Sequence, residues 1–587
     1  MKVKNWKALL YFLKVVCPMS WRAVVCSFCS SALKAAAPMV TLVLSSRLLA
    51  SLTVRASVER ILLDILALLL FGTAAGVLQA LLNSRFKIRM DELKDNFTLY
   101  VGKRLMKMQY GRLESPEVQD LRQQALLPIL RWGNFEFVFQ EFVPAFIGGV
   151  ITAAATIVLL AEYKLWLVFP ILLTVTIHLF LSQIQNERFQ KVAMTVGKVE
   201  RKLDYYDSVT NDFTLGKDIR LFRIDKILMN KIRELNDKEV GAFAGLFYSA
   251  AVLDFWETLL VQVQIYFVYA IAAVDLIWKT ISIDVFFRFT GLFINFGNSL
   301  FQFMNALVNL HSRSRFLEKF VEFDEIPVET DTGRECRGEA QPVEFSHVSF
   351  GYEKGKEILT DVSFSIPAGK AVALVGENGS GKTTIAKLLS GFLTPTAGQV
   401  YIGGAPLFAA SRSSLSAVYQ DFQLFAFTVR ENVETDYAGR GDMWECLDSV
   451  GLKEIVGSLP EKEETYLYKS FETGGTEFSY GQGQKLATAR SLYKNAGIIL
   501  LDEPTSAFDA KAEYEIFRDF RRLIDGKTAL LISHRLWSCR FCDEILVLSG
   551  GRIAERGSHE ELMGIEDGIY RKMFLAQAQY YEDSAEA

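Results

Sequence analysis

The sequence predicts a two-part fold: an α-helical membrane domain of six transmembrane helices with long cytosolic extensions, followed by an α/β domain. Three observations carry this. Six apolar runs of spanning length fill the first part, hydrophobicity drops after His311, and short β-rich runs then alternate with helical ones. Half of the 587 residues are hydrophobic, 12% are aromatic and only 22% are charged, with a mean hydropathy of +0.18, which is too apolar for a disordered chain or an ordinary soluble enzyme. Lys+Arg total 64 against 68 Asp+Glu, so the basic footprint of a dedicated nucleic-acid binder is missing.

Residues 1–21 place Lys2, Lys4, Lys7 and Lys14 around Trp6, Leu9, Leu10 and Phe12, with no A-x-A-like end to the following apolar run. They read as an interfacial helix leading into the first span and not as a cleavable signal peptide. The membrane domain covers 22–324. Its apolar runs fall at 23–49, 61–82, 142–161, 165–181, 246–274 and 285–308, each long enough to cross about 30 Å of hydrocarbon at about 1.5 Å per residue. The two long polar connections carry the bases, among them Arg85, Lys87, Arg89, Lys103 and Arg104, then Arg188, Lys191, Arg201 and Lys217. This bias places both termini in the cytoplasm, and the apolar spacing with few breakers makes the connections helical extensions of the spans. Seven scattered cysteines fit a reducing compartment; the C-x-x-C pairs Cys26/Cys29 and Cys539/Cys542 have no accompanying His and read as packing residues. Residues 325–342, rich in Pro, Gly and acid, form a linker, and 343–587 form the second domain.

Chemistry concentrates in that second domain. Gly376-Glu377-Asn378-Gly379-Ser380-Gly381-Lys382-Thr383 follows the strand-like run AVALV and precedes a helical one that begins at Thr384. The pattern G-x-x-x-x-G-K-[ST] in this strand–loop–helix context makes the domain an α/β P-loop NTPase. Glycines let backbone N–H groups close around phosphate oxygens, Lys382 brings positive charge to the β/γ-phosphates, and the Thr383 hydroxyl suits Mg²⁺. Ile498-Ile499-Leu500-Leu501-Asp502 is a buried-strand run ending in a carboxylate, followed at once by Glu503. Beside a phosphate loop, the first carboxylate can hold a metal and the second can polarise an attacking water.

With these motifs in order, the chain resembles an ABC transporter half of the exporter type, six spans followed by one nucleotide-binding domain. The resemblance covers essentially the whole length and implies ATP and Mg²⁺ as cofactors. It implies that Tyr352 stacks on adenine, that Gln420 is the Q-loop glutamine contacting the metal with Thr383 and Asp502, and that His534 contacts the γ-phosphate. Phe478-Ser479-Tyr480-Gly481-Gln482 occupies the signature LSGGQ, whose Ser479, Gly481 and Gln482 would act on the nucleotide of a second subunit. Ser506-Ala507-Phe508-Asp509 resembles the D-loop, and 114–117 and 215–218 resemble loop tips that dock on nucleotide domains. The sequence departs from the family pattern at Phe478 and, more seriously, at Tyr480 in place of the first signature glycine. Since Glu503 and His534 are intact, this favours a heterodimer with a second half-transporter that supplies the better signature; a homodimer is the alternative.

The membrane part offers its own polar groups. Asn295, Asn298, Gln302, Asn305 and Asn309 are spaced 3, 4, 3, 4 and share one helix face; Asp254 and Glu257 lie in the fifth run and Lys34 in the first. These residues are candidates for a substrate cavity, with Lys34 deep enough to meet the acidic pair. The alternative is helix–helix hydrogen bonding. The expected activity is ATP-driven alternating access exporting a peptide-like, lipid-like or drug-like substrate. Uptake of a siderophore or vitamin by the same fold is the rival within the class, and a soluble-type ABC ATPase on nucleic acid is the rival outside it, disfavoured by the spans and the acidic balance. The expected setting is a bilayer, the bacterial plasma membrane, with the nucleotide domain cytoplasmic.

Overall fold

The computed structural model describes residues 3–130, 137–160, 166, 168–329, 338–352, 355–407, 414–435, 442–469, 472–503 and 526–585. The chain divides into two compact units: Met1–Met106 with Ser115–Ile326, and Lys107–Glu114 with Pro327–Ala587.

The first unit is helical. α1 (Val3–Val16) precedes α2 (Trp21–Thr53) and α3 (Val58–Lys107). After α4 (Tyr110–Leu113), which groups with the second unit, come α5 (Pro116–Leu130), α6 (Val143–Leu160) and α7 (Val168–Asn211). α8 (Gly216–Leu221), α9 (Ile224–Ile277) and α10 (Ile283–Asp324) complete it. The expected apolar runs fall on α2, α3, α6, α7, α9 and α10, and four of these six continue well beyond the run as polar helix. Continuous helix satisfies every backbone group internally, which a lipid-facing segment requires.

Four helical segments are long and apolar enough to cross a membrane among the described residues: Lys7–Thr53, Val58–Lys107, Phe137–Ala154 and Ile224–Ile277. α7 and α10 are also long, but they carry the amides and ionisable residues that lower their hydropathy. Sequence reading counts six spans; composition of the folded helices alone supports four. On these helices His178, Ser182, Gln185, Asn298 and Asn305 line a cavity, whereas Gln302 is exposed. On α3 the apolar side chains Leu62, Leu66, Leu69 and Val77 are instead exposed, as expected of a surface that meets lipid.

α1 is held by aromatic packing. Ala8, Leu9, Phe12 and Val16 recur at helical spacing and are buried, and the Phe12 ring meets Phe97 of α3 and Phe320 of α10 at 6.2 and 5.7 Å. Nearby, Tyr11 and Tyr100 both donate to the Asp324 carboxylate, at 2.7 and 2.8 Å. α10 packs against α1, α2, α5, α6 and α7.

The second unit contains two sheets. β1 (Val343–Phe350), β2 (Leu359–Ile366), β4 (Ala397–Ile402) and β5 (Ala405–Pro406) form an antiparallel sheet in the order β2-β1-β4-β5. The larger sheet runs β10-β9-β3-β8-β7-β6, from β3 (Ala371–Gly376), β6 (Leu415–Val418), β7 (Ile498–Asp502), β8 (Thr528–Ile532), β9 (Glu544–Ser549) and β10 (Arg552–Gly557). It is parallel from β6 to β9, with β10 antiparallel at the edge. β3, β7 and β8 are buried at every position, so their continuous apolar runs are those of a sheet covered on both faces. Around it lie α11 (Lys382–Leu389), α12 (Val429–Val433), α13 (Met443–Ser449), α14 (Lys453–Gly457), α15 (Tyr480–Tyr493), α16 (His559–Met563) and α17 (Ile569–Ala585).

α4 belongs to this unit by its contacts. The Gly111 N–H donates to the Phe392 carbonyl at 2.9 Å, the Tyr110 ring lies 4.9 Å from that of Phe392, and Lys387 pairs with Glu114 at 3.2 Å. A β-carbon at Gly111 would stand 2.9 Å from the Phe392 oxygen, so this approach requires glycine.

Candidate functional site

β3 delivers the chain into the phosphate loop at Gly376, where a β-carbon would lie 2.2 Å from the Leu548 carbonyl oxygen of β9. The loop turns through left-handed backbone at Gly379 (φ +80°) and Gly381 (φ +109°), and Gly381 caps α11. Glycine is needed at both turns. Asn378 is exposed, Thr383 is exposed in the first turn of α11, and Thr384 is buried beneath it. The Ser380 hydroxyl is buried without a hydrogen-bond partner, and an orphaned donor in a loop of inward-facing N–H groups fits a phosphate ligand.

Lys382 is 6% exposed, and its ammonium donates to the Gly376 and Glu377 carbonyls, both at 2.9 Å. Burial pulls its pKa down, and the Glu503 and Asp502 carboxylates oppose that pull. Asp502 ends β7 and is buried; desolvation pushes its carboxyl up to about 6, with repulsion from Glu503 and Asp421 adding and Lys382 subtracting. Glu503 follows in left-handed backbone (φ 49°), pinned by its N–H to the Ile532 carbonyl at 2.9 Å and by Gln484, which donates to its carbonyl at 3.2 Å. That turn swings the Glu503 carboxylate to His534 after β8, with Oε1 2.8 Å from Nε2. Burial and the Lys382 charge hold the imidazole below its ordinary pKa, against the pull of Glu503.

Tyr352 is half exposed and stands edge-on to Phe350, with ring centroids 5.0 Å apart. Gln420 lies exposed just past β6. Ser479 caps α15 in a reciprocal box: its hydroxyl accepts from the Gln482 N–H at 3.2 Å, and the Gln482 side chain accepts from the Ser479 N–H at 2.9 Å. Gly481 lies in the first turn of this helix. Tyr480 fits without strain because its ring leaves the helix to rest on Phe422, 5.2 Å away. The structure therefore gathers Lys382, Asp502, Glu503 and His534 at the C-terminal ends of the inner parallel strands β3, β7 and β8 and joins the signature segment to the Gln420 segment through Tyr480. Residues 506–509 lie outside the described residues.

In the membrane unit the amide face is divided. Asn298 and Asn305 line a cavity of about 370 Å³ with Asp254 and Glu257, whereas Asn295 and Lys34 line a second hollow of about 500 Å³ with Gln79 and Thr41; Gln302 lines neither. The anticipated meeting of Lys34 with the acidic pair does not occur, because α2 packs against α6 and α10 while α9 packs chiefly against α7. The acidic partner is His178 instead, whose Nδ1 contacts Glu257 Oε1. Sequence reading passed over it, although His178, Ser182 and Gln185 recur on one helix face inside an apolar stretch, a signal of the kind that marks intramembrane polar groups.

A glycine loop at the end of β3, a buried lysine beneath it and paired acids at the end of β7, two strands away in the same parallel sheet, define a P-loop NTPase domain. Residues 359–506 match the family described as ABC transporter. The chain is 39% identical over 264 residues to an ATP-dependent lipid A-core flippase of Burkholderia pseudomallei, covering 42% of this chain and 44% of that protein. It is 36% identical over 313 residues to one of Bordetella avium, covering 50% and 51%. With an uncharacterised ABC transporter ATP-binding protein of Bacillus subtilis, YknV, it shares 35% over 327 residues, covering 52% and 53%. The chain thus spans about half the length of the relatives it matches. The structure of a bacterial Atm1-family ABC exporter with ATP bound superposes with a TM-score of 0.77 at 24% identity, covering 95% of this chain and 98% of that one. The match over 359–506 implies ATP binding by this unit, and the chain as a whole shares the fold of that exporter.

Proposed function

We propose that this chain is one half of a dimeric membrane exporter that hydrolyses MgATP to drive alternating access. The observation that carries the reading is the convergence of Lys382, Asp502, Glu503 and His534 around the phosphate loop, with the Ser380 hydroxyl left for a phosphate oxygen. In the reaction the Lys382 ammonium leaves the Gly376 and Glu377 carbonyls for the β/γ-phosphates. Thr383, Asp502 and Gln420 would hold Mg²⁺, which supplies charge neutralisation at the phosphates. Glu503 orients and polarises the attacking water, His534 meets the γ-phosphate, and Tyr352 stacks on the base. Ser479, Gly481 and Gln482 act across the dimer on the partner's nucleotide.

Export is favoured over uptake because the similar chains are named flippases and an exporter, and those names also support an amphipathic substrate. The setting is a bacterial plasma membrane with the nucleotide-binding unit in the cytoplasm. A heterodimer is favoured over a homodimer because Tyr480 stands where a signature glycine would let backbone approach phosphate. The chain alone, in lipid nanodiscs, is tested for MgATP hydrolysis beside Glu503→Gln. Glu503-dependent turnover establishes a working homodimer; background activity from folded protein that rises when a second half-transporter is added establishes the heterodimer. Background activity under both conditions sinks the ATPase reading.

A further inference from the structure

The cavity among α7, α9 and α10 has an uneven charge. Asp254 and Glu257 stand almost one turn apart on α9, and among the described residues no Lys or Arg lines it. The other ionisable group is His178 on α7, which is 4% exposed and contacts Glu257. Ser182 lies beside its Nε2 at 3.2 Å, and the Phe301 ring sits 3.8 Å away, centroid to centroid. Gln185 donates to Asp254 at 3.0 Å. α10 brings Asn298, Asn305 and rings but no charge. Two carboxylates therefore share one imidazole, and the rest of the lining mixes neutral polar side chains such as Thr174, Gln264 and Asn298 with apolar ones such as Val261 and Phe293.

The Glu257 carboxylate is largely buried and needs a compensating cation, since an unpaired charge removed from water is costly; Asp254 is exposed and adds a second negative charge beside it. An anion entering this space would meet like charge, and a neutral amphiphile would leave the carboxylates no better paired. A cation with N–H donors satisfies both acids, and Phe293 and Phe301 offer ring faces to it and to an apolar body. The volume lies within the range of small-molecule sites.

We propose that this cavity binds an amphipathic organic cation whose ammonium or guanidinium group seats on Glu257 and Asp254, displacing His178 from Glu257, with its apolar body against Phe293, Phe301 and Val261. The assignment names the substrate class of the transport reading and rests on it only for the consequence of binding, because the site itself needs no ATP.

The test uses the full chain in nanodiscs without nucleotide and follows the fluorescence anisotropy of dansylcadaverine, an apolar primary amine, beside its N-acetylated, uncharged derivative. The amine is expected to bind at least about tenfold more tightly than the acetylated form. Glu257→Gln weakens the amine by about tenfold, the worth of one lost charge-assisted hydrogen bond, and His178→Gln does not weaken it, because the imidazole that competes for Glu257 has gone. Asp254 is exposed, so Asp254→Asn tests the charge with the fold intact and is expected to weaken the amine several-fold. Equal binding of the two probes, no binding of the amine, or unchanged amine affinity in both carboxylate variants overturns the proposal. Glu257-dependent binding without amine-stimulated, Glu503-dependent ATP hydrolysis would keep the cation site and remove the transport reading. Stimulation without dependence on the two acids would do the reverse.

Discussion

The Tyr480 hydroxyl donates to the backbone carbonyl of Gln420 at 3.0 Å, and its ring lies against Phe422. A residue that breaks the signature pattern is thereby tied to the segment that carries Gln420, the glutamine proposed to hold the metal. Tyr480→Phe keeps the ring and removes one partly exposed hydrogen bond, so it should cost about 1 kcal/mol or less in thermal unfolding. Tyr480→Gly releases the segment and restores backbone access at the signature. In the heterodimer reading it should raise ATP turnover of the chain alone; a turnover equal to that of the unmodified chain would show that Tyr480 is not what limits it.

Glu503 and Lys382 lie in one site and should part in their kinetics. Under the proposed function Glu503→Gln removes the carboxylate that polarises water, and it should lower kcat by about 10²-fold or more while leaving ATP affinity nearly unchanged. Lys382→Ala should instead abolish binding of a fluorescent ATP analogue, since it deletes the cation of the phosphate loop.

Asp502 supplies a pH signature. Its folded pKa of about 6 lies above the ordinary 3.8, so the fold prefers the protonated acid. The cost of ionising it is absent below about pH 4, grows between about 4 and 6 and is complete above 6. Asp502→Asn should therefore stabilise the nucleotide-free protein at pH 7.5 by on the order of 2 kcal/mol, a gain that fades as the pH falls through that window. Melting curves of both proteins at pH 4.5, 6 and 7.5 would reveal it; a gain independent of pH would mean that desolvation of the charge is not its source.

Gly111 bears directly against the Phe392 carbonyl. Gly111→Val inserts a branched side chain where even a β-carbon stands 2.9 Å from that oxygen, and overpacking of this kind costs about 1–3 kcal/mol. Displacement of α4 should weaken substrate-stimulated hydrolysis more than basal hydrolysis in nanodiscs. Equal loss of both would indicate plain destabilisation.

Much of the fold was legible because its signals are local. VEFSHVSF became β1, AVALV the start of β3, IILLD β7 and TALLI β8, since each run carries its own period and is bounded by turn residues. The apolar runs and their polar extensions marked the long helices for the same reason. Within the nucleotide site, Gly376 to Thr383 fixed the loop, and Asp502-Glu503 could be placed beside it because the strand before them was evident. What stayed hidden was every partnership between elements far apart in sequence: His178 with Glu257, Tyr480 with Gln420, and Gly111 with Phe392.

The sequence by itself determined the helical and α/β parts, the phosphate loop and the acid that ends the strand IILLD, because helix period, strand burial and glycine turns are written within a few consecutive residues. Tertiary structure decided which polar residues meet. The amide face of α10 is continuous in sequence, yet it serves two hollows, and Lys34 was assigned to one and the acids to the other by the order in which α2, α6, α7 and α9 pack around that helix. Helix rotation and neighbour choice come from the summed packing of many side chains, which no local pattern encodes.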